Sequence, residues 1–324
     1  MPKAIIIKEF GGPEVMQMVE SRISPPNSHE VTIRNTAIGL NFIDTYHRSG
    51  LYPVTLPSHL GLEGSAVVTS IGHDVHGFNL GDRVAYVGEP IGAYSEERNY
   101  PANGLVKIPE NVNDDVAAAS MLKGLTAWYL AKKSYPIKIG DDVLIYAAAG
   151  GVGLFLSQWA KYLGARVIGI VSTSEKGELA QHNGCSEIIY ADDKKLVEKT
   201  RKLTNGHGVN AVYDSVGKET FYQSLDCLRP HGVMISYGNA TGAVEPFPIL
   251  ELASRGSLFV TRPVLSDFIR ERYDLVNATN ELFALISKKV ICVHLNNIMP
   301  LADIAEAHVN LESRSTTGST ILKP

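Results

Sequence analysis

The feature that most constrains this chain is a glycine-rich turn at residues 147–153, which reads Ala-Ala-Ala-Gly-Gly-Val-Gly. An apolar run at 142–146 precedes the turn, and residues 154–160 follow it with the spacing of a helix. A glycine motif in this strand–turn–helix context is typical of a dinucleotide-binding βαβ unit. The sequence therefore predicts such a unit, in which the first amides of the helix face a diphosphate.

Each residue of the turn has a predicted role. Gly150 suits the tight turn, Gly151 keeps the backbone near the pyrophosphate free of a Cβ atom, and Gly153 lets the helix pack closely on its strand. Val152 lies with them in the first turn of the helix and completes the predicted cofactor-binding set. Ala148 stands where the usual motif has its first glycine, so a tight turn without a ligand is the alternative.

The end of the next strand indicates which nicotinamide cofactor the unit binds. Residues 165–171 form an apolar, β-rich run. NAD-binding units usually carry an acidic residue at the end of this strand, where it accepts bonds from the ribose hydroxyls. Here Ser172 leaves room for a 2′-phosphate and Lys176 supplies a positive charge, which favours NADPH; we expect Glu175 to point to solvent. The alternative is an ordinary strand-to-helix turn with a surface lysine.

Composition bounds the remaining possibilities. A chain of 324 residues predicts two domains. Its net charge of −4 gives no electrostatic reason to expect nucleic acid or an anionic membrane as the partner. Three widely spaced cysteines argue against a disulfide framework and for a reducing compartment. There is no signal-peptide pattern and no apolar run long enough to span a bilayer, so we expect a cytoplasmic protein.

The chain changes character near residue 120. Before it, short strands alternate with Gly, Pro and Asn turns, which predicts a β-rich, partly open barrel-like domain. From about residue 124, strands and helices alternate, which predicts a doubly wound parallel sheet with helices on both faces. A long helix at 270–288 breaks this rhythm, and the end of the chain is expected to return to the first domain. The prediction is an α/β protein with one domain at 1–123 and 264–324, another at 124–263, and a cleft between them.

Several short motifs, in this order and spacing, resemble one family. They are the turn at 147–153 and the segments at 39–46, 49–53, 122–127, 213–217, 236–239 and 312–314. Together they are similar to the zinc-free quinone oxidoreductases of the medium-chain dehydrogenase/reductase superfamily, the zeta-crystallin group, over essentially the whole chain. The resemblance implies a GroES-like catalytic domain, a Rossmann cofactor domain, bound NADPH and a quinone as the substrate.

The positions that hold the catalytic zinc in related alcohol dehydrogenases carry other residues here. The resemblance places Asn41, Leu62 and Lys123 at or near those positions. A tetrahedral zinc site needs Cys, His or carboxylate ligands aimed at one point, which these residue types do not supply. The cysteine-rich structural zinc lobe is also missing, and the ten histidines are scattered along the chain. We therefore expect no metal.

The resemblance also implies which residues border the nicotinamide. Asn41 would hydrogen-bond the nicotinamide-ribose region, and Asp44 would hold the loop and its polar network. Tyr46 and Tyr52 would line the acceptor pocket, each with a flat apolar face and a hydroxyl donor. Thr126 fits a nicotinamide-binding position. The alternatives are a helix cap for Asp44, a core aromatic for Tyr46 and a buried helix threonine for Thr126.

On the adenosine side, the resemblance assigns Ser172 and Lys176 to the 2′-phosphate. It assigns Arg314 to the cofactor phosphates, with a surface arginine as the alternative. A family tyrosine aligns with Ala191, whereas Tyr190 lies one residue earlier. A one-residue shift turns a strand side chain to the other face, so the role of Tyr190 stays open. A further cofactor-binding segment ends the fifth strand, where ligands cross the edge of the sheet: Tyr237, Gly238 and Asn239.

The resulting hypothesis is metal-free, NADPH-dependent reduction of quinones, in which orientation of the nicotinamide against the acceptor provides most of the acceleration. An alkenal or enone reductase that uses the same cofactor is the nearest alternative. A non-catalytic NADPH-binding or RNA-binding protein is the alternative from another class, and the lack of a basic cluster argues against RNA. An apolar edge strand at 257–260 predicts a homodimer, because such edges are usually covered.

Overall fold

The computed structural model of the protein describes the whole chain, residues 1–324, and divides into two units. The first unit comprises Met1–Leu125, Ile269–Ser287 and Val293–Pro324, and the second comprises Thr126–Phe268 and Lys288–Cys292. The boundaries expected from the sequence are 123/124 and 263/264, whereas residues 264–268 and 288–292 belong to the second unit. None of the helices has the length and apolar character that crossing a membrane requires.

The strands, in chain order, lie within or close to the apolar runs of the sequence. They are β1 (Lys3–Ile7), β2 (Gln17–Glu20), β3 (Glu30–Gly39), β4 (Ser58–His59), β5 (Glu63–Ile71), β6 (Arg83–Val87), β7 (Glu97–Pro101), β8 (Leu105–Lys107), β9 (Asp142–Ile145), β10 (Arg166–Val171), β11 (Glu187–Tyr190), β12 (Val209–Asp214), β13 (Leu228–Ser236), β14 (Phe259–Thr261), β15 (Leu295–Pro300) and β16 (Ser319–Lys323).

Ten α-helices connect and cover these strands. They are α1 (Phe42–Ser49), α2 (Asp114–Tyr129), α3 (Gly151–Tyr162), α4 (Ser174–His182), α5 (Leu196–Leu203), α6 (Phe221–Cys227), α7 (Leu250–Ser254), α8 (Leu265–Phe268), α9 (Arg272–Ser287) and α10 (Ile304–Glu312). A short π-helical segment at Leu130–Ser134 extends the end of α2.

The first unit is built around β3, which pairs antiparallel with β5, β7 and β16. Its larger sheet runs β15-β16-β3-β5-β6-β8, and a three-stranded sheet runs β2-β1-β4. Most inward positions of these strands are apolar or aromatic, such as the fully buried Ile33 and Tyr86, whereas Glu63 on β5 is a fully buried carboxylate. The pairing of β16 with β3 confirms that the end of the chain returns to the amino-terminal domain. The predicted β-rich domain is therefore confirmed.

The second unit is a parallel sheet in the order β11-β10-β9-β12-β13-β14. Numbered from β9, this is the 3-2-1-4-5-6 order of the doubly wound dinucleotide-binding fold. The middle strands are continuous apolar runs because both faces are covered by helices: every residue of β10 except Arg166 is buried. The predicted Rossmann domain is confirmed, and the end of β9 lies at the point where the strand order reverses, which is where such sheets bind ligands.

Candidate active site

The glycine turn after β9 has a backbone that only small residues permit. Ala147 is in the left-handed region with a φ of 49°, and the Gly150 amide donates to its carbonyl at 2.8 Å. Gly150 is the residue that caps α3. A Cβ atom on Gly153 would lie 2.8 Å from the Cα of Ala148, so the helix touches the preceding turn backbone to backbone. The close packing predicted for Gly153 is therefore present.

The amino terminus of α3 provides a place for a diphosphate. Gly151 and Val152 are half-buried residues of its first turn, where helix geometry leaves amide groups without a carbonyl partner inside the helix. Such amides, with the positive end of the helix dipole, favour an anion. Ala148, which replaces the first glycine of the usual motif, is fully buried, and its amide donates to Ile170 in β10. That position thus serves the packing of the sheet.

The segment between β10 and α4 carries the predicted cofactor-selecting side chains. Ser172 is exposed, and Thr173 caps α4 by accepting the Lys176 amide at 3.3 Å. Partial burial lowers the pKa of the Lys176 ammonium. Glu175 is exposed, as expected, but its carboxylate turns back toward its own amide and the hydroxyls of Thr173 and Ser174, which lowers its pKa. A negative charge therefore lies at the first turn of α4, close to Lys176 in the chain.

The register of β11 places Tyr190 beside helix α4. Tyr190 pairs with Val171 at the end of β10, and its side chain is exposed. Its hydroxyl lies 3.7 Å from the position that a Cβ atom on Gly177 would occupy. Since Gly177 belongs to the start of α4, Tyr190 lies beside the helix that carries Lys176. Ala191 continues the chain and donates its amide to the Val171 carbonyl.

The carboxyl ends of β12 and β13 are tied together by a buried aspartate. Asp214 accepts the amides of Val216 and Gly217 at 2.8 and 3.1 Å with one carboxylate oxygen. The other oxygen accepts the hydroxyls of Thr220 and Ser224, both at 2.7 Å. Both carboxylate oxygens are thus engaged, and Asp214 organises the turn after β12.

The predicted segment at the end of β13 packs on this turn. The Tyr237 amide donates to the Asp214 carbonyl at 2.8 Å, and burial raises the pKa of the Tyr237 phenol. A Cβ atom on Gly238 would lie 2.9 Å from the Cα of Ser215, so a glycine is needed for this close approach. Asn239 is half-buried next to it.

In the first unit, Asn41 and Asp44 begin α1 together. The Asn41 amide donates to Asp44 Oδ2 at 2.9 Å, so the aspartate side chain caps the helix. Tyr94 donates its hydroxyl to the same oxygen at 2.7 Å, whereas Oδ1 is buried without a partner. Asp44 is fully buried, and this burial raises the pKa of its carboxyl to about 7. The helix cap considered as the alternative is therefore present, within the polar network that the resemblance implied.

That network continues through residues that the sequence analysis did not select. The Tyr94 hydroxyl lies 3.1 Å from His308 Nε2, and His308 Nδ1 lies 2.8 Å from Arg48 Nη1. Arg48 forms a two-pronged ion pair with Glu312 at the end of α10, at 2.7 and 3.0 Å. Burial and the neighbouring guanidinium lower the pKa of His308 to about 3, so its imidazole is neutral.

A second buried group joins Asn41 and Lys123, two of the positions that the resemblance sets against zinc ligands. Glu63, on β5, accepts Asn41 Nδ2 at 2.7 Å and Lys123 Nζ at 3.1 Å. The Lys123 ammonium also donates to the Leu40 carbonyl at 3.0 Å. Leu62 is a buried apolar side chain. Nowhere in the protein do three or more His, Cys, Asp or Glu side chains converge in a way that could hold a metal ion.

Tyr46 and Tyr52 form an aromatic pair. Their ring centroids lie 5.2 Å apart in an edge-to-face arrangement, and the Tyr52 amide donates to the Tyr46 carbonyl at 3.1 Å. Phe42 adds a third ring, 6.2 Å from Tyr46. Both tyrosines are half-buried, so Tyr46 is not a residue of the closed core.

The two remaining predicted residues lie at the ends of other elements. Thr126 is a buried residue of α2, one helical turn beyond Lys123, as the helix-threonine alternative requires. Arg314 is exposed directly after α10, in the left-handed region with a φ of 58°. Because Glu312 ends that helix, the ion pair with Arg48 ties the segment before Arg314 to α1.

Comparison with known proteins assigns the family. Residues 27–110 match the alcohol dehydrogenase GroES-like domain, and residues 151–278 match the zinc-binding dehydrogenase domain. The chain is 46% identical to a quinone oxidoreductase of Pseudomonas aeruginosa over 100% of both chains, and 43% identical to a 2-haloacrylate reductase of a Burkholderia species over 100% of this chain and 99% of the relative.

A solved structure gives the same result. Escherichia coli quinone oxidoreductase complexed with NADPH is 46% identical and superimposes with a TM-score of 0.97 over 99% of this chain and 100% of that one. Identity at this level over the full length extends to both domains and to the connections between them. The chain therefore belongs to the quinone oxidoreductases of the medium-chain dehydrogenase/reductase superfamily.

Proposed function

We propose that the protein is an enzyme that reduces quinones with NADPH. The observation that carries the proposal is the glycine turn before α3 in a sheet of 3-2-1-4-5-6 order, in a chain 46% identical to quinone oxidoreductases along its whole length. When bound, NADPH supplies a hydride. The residues of the chain bind and orient the cofactor and the acceptor.

On the second unit, we assign the diphosphate to the start of α3. The amides of Gly151, Val152 and Gly153 are the donors, with the helix dipole behind them, and Gly150 forms the tight turn that caps the helix. The end of β13 contributes at the same edge of the sheet through Tyr237, Gly238 and Asn239. From the first unit, we assign Arg314 to the cofactor phosphates.

Selection of NADPH over NADH is assigned to the turn before α4. Ser172 leaves room for the 2′-phosphate, the Lys176 ammonium pairs with it, and the Tyr190 hydroxyl beside α4 is a third contact. The Glu175 carboxylate lies on the same turn of helix. Its repulsion of a phosphate makes the charge on Lys176 more necessary, because without that charge the first turn of α4 is net negative.

On the first unit, we assign Asn41 to the nicotinamide ribose, and Tyr46 and Tyr52 to the walls for the acceptor. Thr126, the first residue of the second unit, is assigned to the nicotinamide. Asp44 is fully buried, and we assign it a structural role at the site: its Oδ2 atom accepts hydrogen bonds from the Asn41 amide at the start of α1 and from the Tyr94 hydroxyl. A quinone is already a strong electrophile and needs little help from a general acid. The acceptor takes its proton from water or from one of these tyrosines.

We propose that the reaction uses no zinc. The support is the donor set: Asn41 faces Glu63 with its amide nitrogen, Leu62 is apolar and Lys123 carries an ammonium. A tetrahedral zinc ion needs thiolate, imidazole or carboxylate ligands, and an ammonium at a ligand position repels a dication. Since the zeta-crystallin group is the zinc-free group of the superfamily, we also propose that the protein belongs to it.

An activated alkene is the second class of acceptor to consider, because a relative that is 43% identical is a 2-haloacrylate reductase. In such a compound the double bond is conjugated to a carboxyl group, and hydride addition to it resembles addition to a quinone. The same cofactor and the same tyrosine walls would serve both reactions.

We also propose a homodimer in the cytoplasm. Strand β14 is an edge of the six-stranded sheet, its Phe259 is 60% exposed, and Ile249 and Leu250 nearby in the chain are 78% and 75% exposed. Pairing of two such edges covers apolar surface and unpaired backbone groups. The three cysteines are free thiols, which suits a reducing compartment. Light scattering tests the dimer: Phe259→Lys is expected to give a monomer.

The test of function follows NADPH oxidation by its absorbance against a benzoquinone, a naphthoquinone, a 2-haloacrylate and an alkenal, with NADH in parallel and EDTA throughout. Turnover of a quinone with NADPH, unchanged by EDTA, is the expected result. Tight binding of NADPH without turnover of any acceptor would indicate a binding protein. Activity that EDTA abolishes would contradict the zinc-free proposal.

A further inference from the structure

Glu63 is a buried carboxylate whose two oxygens are engaged by two segments, the turn that carries Asn41 and the part of α2 that carries Leu122 and Lys123. Oε1 accepts Asn41 Nδ2 at 2.7 Å and Lys123 Nζ at 3.1 Å, and Oε2 accepts the Leu122 amide at 2.6 Å. Its side chain has no exposed surface, so it touches neither solvent nor a diffusing substrate. Any effect of Glu63 on the reaction must pass through these partners.

The carboxylate decides how the Asn41 amide is turned. A carboxylate accepts hydrogen bonds and donates none, so the amide must present its nitrogen to Glu63. The same nitrogen lies 3.5 Å from the Gly39 carbonyl, a second acceptor on that side. The amide oxygen of Asn41 is thereby directed away from Glu63 and toward the start of α1, where it accepts the Asp44 amide and keeps a second lone pair for a hydroxyl group.

The turn that carries Asn41 is shaped for this contact. A Cβ atom on Gly39 would lie 2.5 Å from Glu63 Cγ, so the carboxylate side chain packs directly on a glycine backbone at the end of β3. Lys123 holds the other side, because its ammonium also donates to the Leu40 carbonyl. Glu63 and Lys123 together therefore clamp the turn 39–41, which leads into α1.

Stability alone does not explain the buried ion pair between Glu63 and Lys123. Two buried opposite charges are often no more stabilising than apolar side chains of similar volume, because both lose their hydration. Lys123 is 6% exposed, and Glu63 has no exposed surface. The role that a buried pair of this kind can have beyond stability is to fix the geometry of a neighbour, which here is Asn41.

We propose that Glu63 is a positioning residue, which, with Lys123, orients the Asn41 amide so that its oxygen accepts the nicotinamide-ribose hydroxyl. This inference rests on the proposed contact of Asn41 with NADPH. It predicts that loss of Glu63 weakens NADPH binding and that this loss depends on the presence of Asn41.

The test is a double-variant cycle with Glu63→Gln, Asn41→Ala and the two combined, in which kcat, the KM for NADPH and the melting temperature are measured. We expect each single variant to raise the KM for NADPH about fivefold, the size of one neutral hydrogen bond, with kcat within about twofold of the parent. The combined variant is expected to show the same rise as Asn41→Ala alone.

Because Glu63→Gln leaves the Lys123 ammonium buried without a counter-charge, that variant can fail to fold. The charge-free variant E63Q/K123M covers this outcome, with a near-normal melting temperature and the same rise in KM expected. Glu97→Gln is the matched control: it changes another carboxylate of the same sheet, which accepts the Thr69 hydroxyl at 2.9 Å, and should leave the KM unchanged.

The outcomes separate the two proposals. If Asn41→Ala raises the KM and the combined variant shows the product of the two single effects, the positioning role of Glu63 is overturned. The contact of Asn41 with the cofactor then still stands. An unchanged KM in Asn41→Ala overturns the contact of Asn41 with the cofactor, and the positioning role falls with it. An unchanged KM in both Glu63→Gln and E63Q/K123M, with Asn41→Ala raised, also overturns the positioning role.

Discussion

The two units carry predicted site residues of opposite kinds. In the second unit, the predicted diphosphate site is a backbone feature of one short segment, the turn 147–153, and depends on missing Cβ atoms. In the first unit, the network around Asp44 depends on buried polar side chains from segments far apart in the chain; Arg48 and Glu312 are 264 positions apart. The first arrangement fails when atoms are added, and the second fails when charges or hydrogen-bond partners are removed.

The largest expected effect concerns Asp44 in the buried network. Burial raises its pKa from 3.8 to about 7, so between these values the folded protein holds a proton that the unfolded chain releases. The stability from this group is therefore fully present below about pH 4 and is lost as the pH rises to about 7. The loss is on the order of 4 kcal/mol.

Denaturant unfolding of the parent and of Asp44→Asn at a series of pH values measures this effect. The parent should lose free energy of unfolding relative to the variant as the pH rises from 4 to 7, since asparagine does not titrate. Parallel curves for the two proteins would mean that Asp44 titrates normally in the folded state.

Gly153→Ala tests the backbone contact of the second unit. The added Cβ atom meets the Ala148 backbone at 2.8 Å, and neither segment can move without disturbing β9 or α3. We expect a loss of about 2–3 kcal/mol in the free energy of unfolding and weaker NADPH binding. Gly150→Ala is the matched control in the same turn: its Cβ atom approaches only the Ala147 carbonyl, at 3.1 Å, and its φ of −79° suits alanine. Equal losses in both variants would contradict the close-packing argument.

Lys176→Ala tests the charge on α4. NADPH binding should weaken by about 2 kcal/mol, as for a hydrogen bond to a charged group, with little change in NADH binding. Titration calorimetry with both cofactors measures the difference. Lys161→Ala, near the other end of α3, is the control and should change neither affinity. Equal losses for NADPH and NADH in Lys176→Ala would show that Lys176 does not distinguish the phosphate.

The smallest expected effect is that of Tyr190→Phe, which removes only the hydroxyl beside α4. A hydrogen bond to a charged group contributes about 1.5 kcal/mol at the lower end, which suits an exposed hydroxyl, so NADPH affinity should fall about tenfold while NADH affinity stays constant. The stability of the variant should match the parent, because the side chain is 42% exposed. An unchanged affinity for NADPH would assign Tyr190 to the surface of the sheet rather than to the cofactor.

The difference between the units also explains what the sequence could predict. The turn 147–153, its strand and its helix are contiguous, so residue type and spacing contain most of the information, and the prediction of the Rossmann sheet is confirmed. The position of Tyr190 stays open at the level of sequence because strand register depends on pairing between strands, which one sequence does not reveal. The pairing of Val171 with Tyr190 provides that information.

The buried network could not be predicted in the same way. The sequence identifies Lys123 only as a residue that cannot bind zinc, and it does not mark Glu63, Tyr94 or His308 as functional. One signal was available: Glu63 begins an apolar strand and Lys123 lies in an alanine-rich helix. When two opposite charges in apolar elements are both buried, they are expected to form an ion pair, because an unpaired buried charge is strongly destabilising. Which elements meet is a property of the tertiary fold.

The chain of hydrogen bonds from Asp44 through Tyr94 and His308 continues to Arg48, which also donates to the Glu312 carboxylate and the Gly11 carbonyl. A guanidinium does not give up its proton in a protein. Arg48 therefore does not relay protons from solvent to His308, Tyr94 and Asp44. Asp44 can exchange its proton only when this part of the structure opens. After a sudden change of pH, the first unit will therefore keep the protonation state of the earlier pH for as long as such openings take.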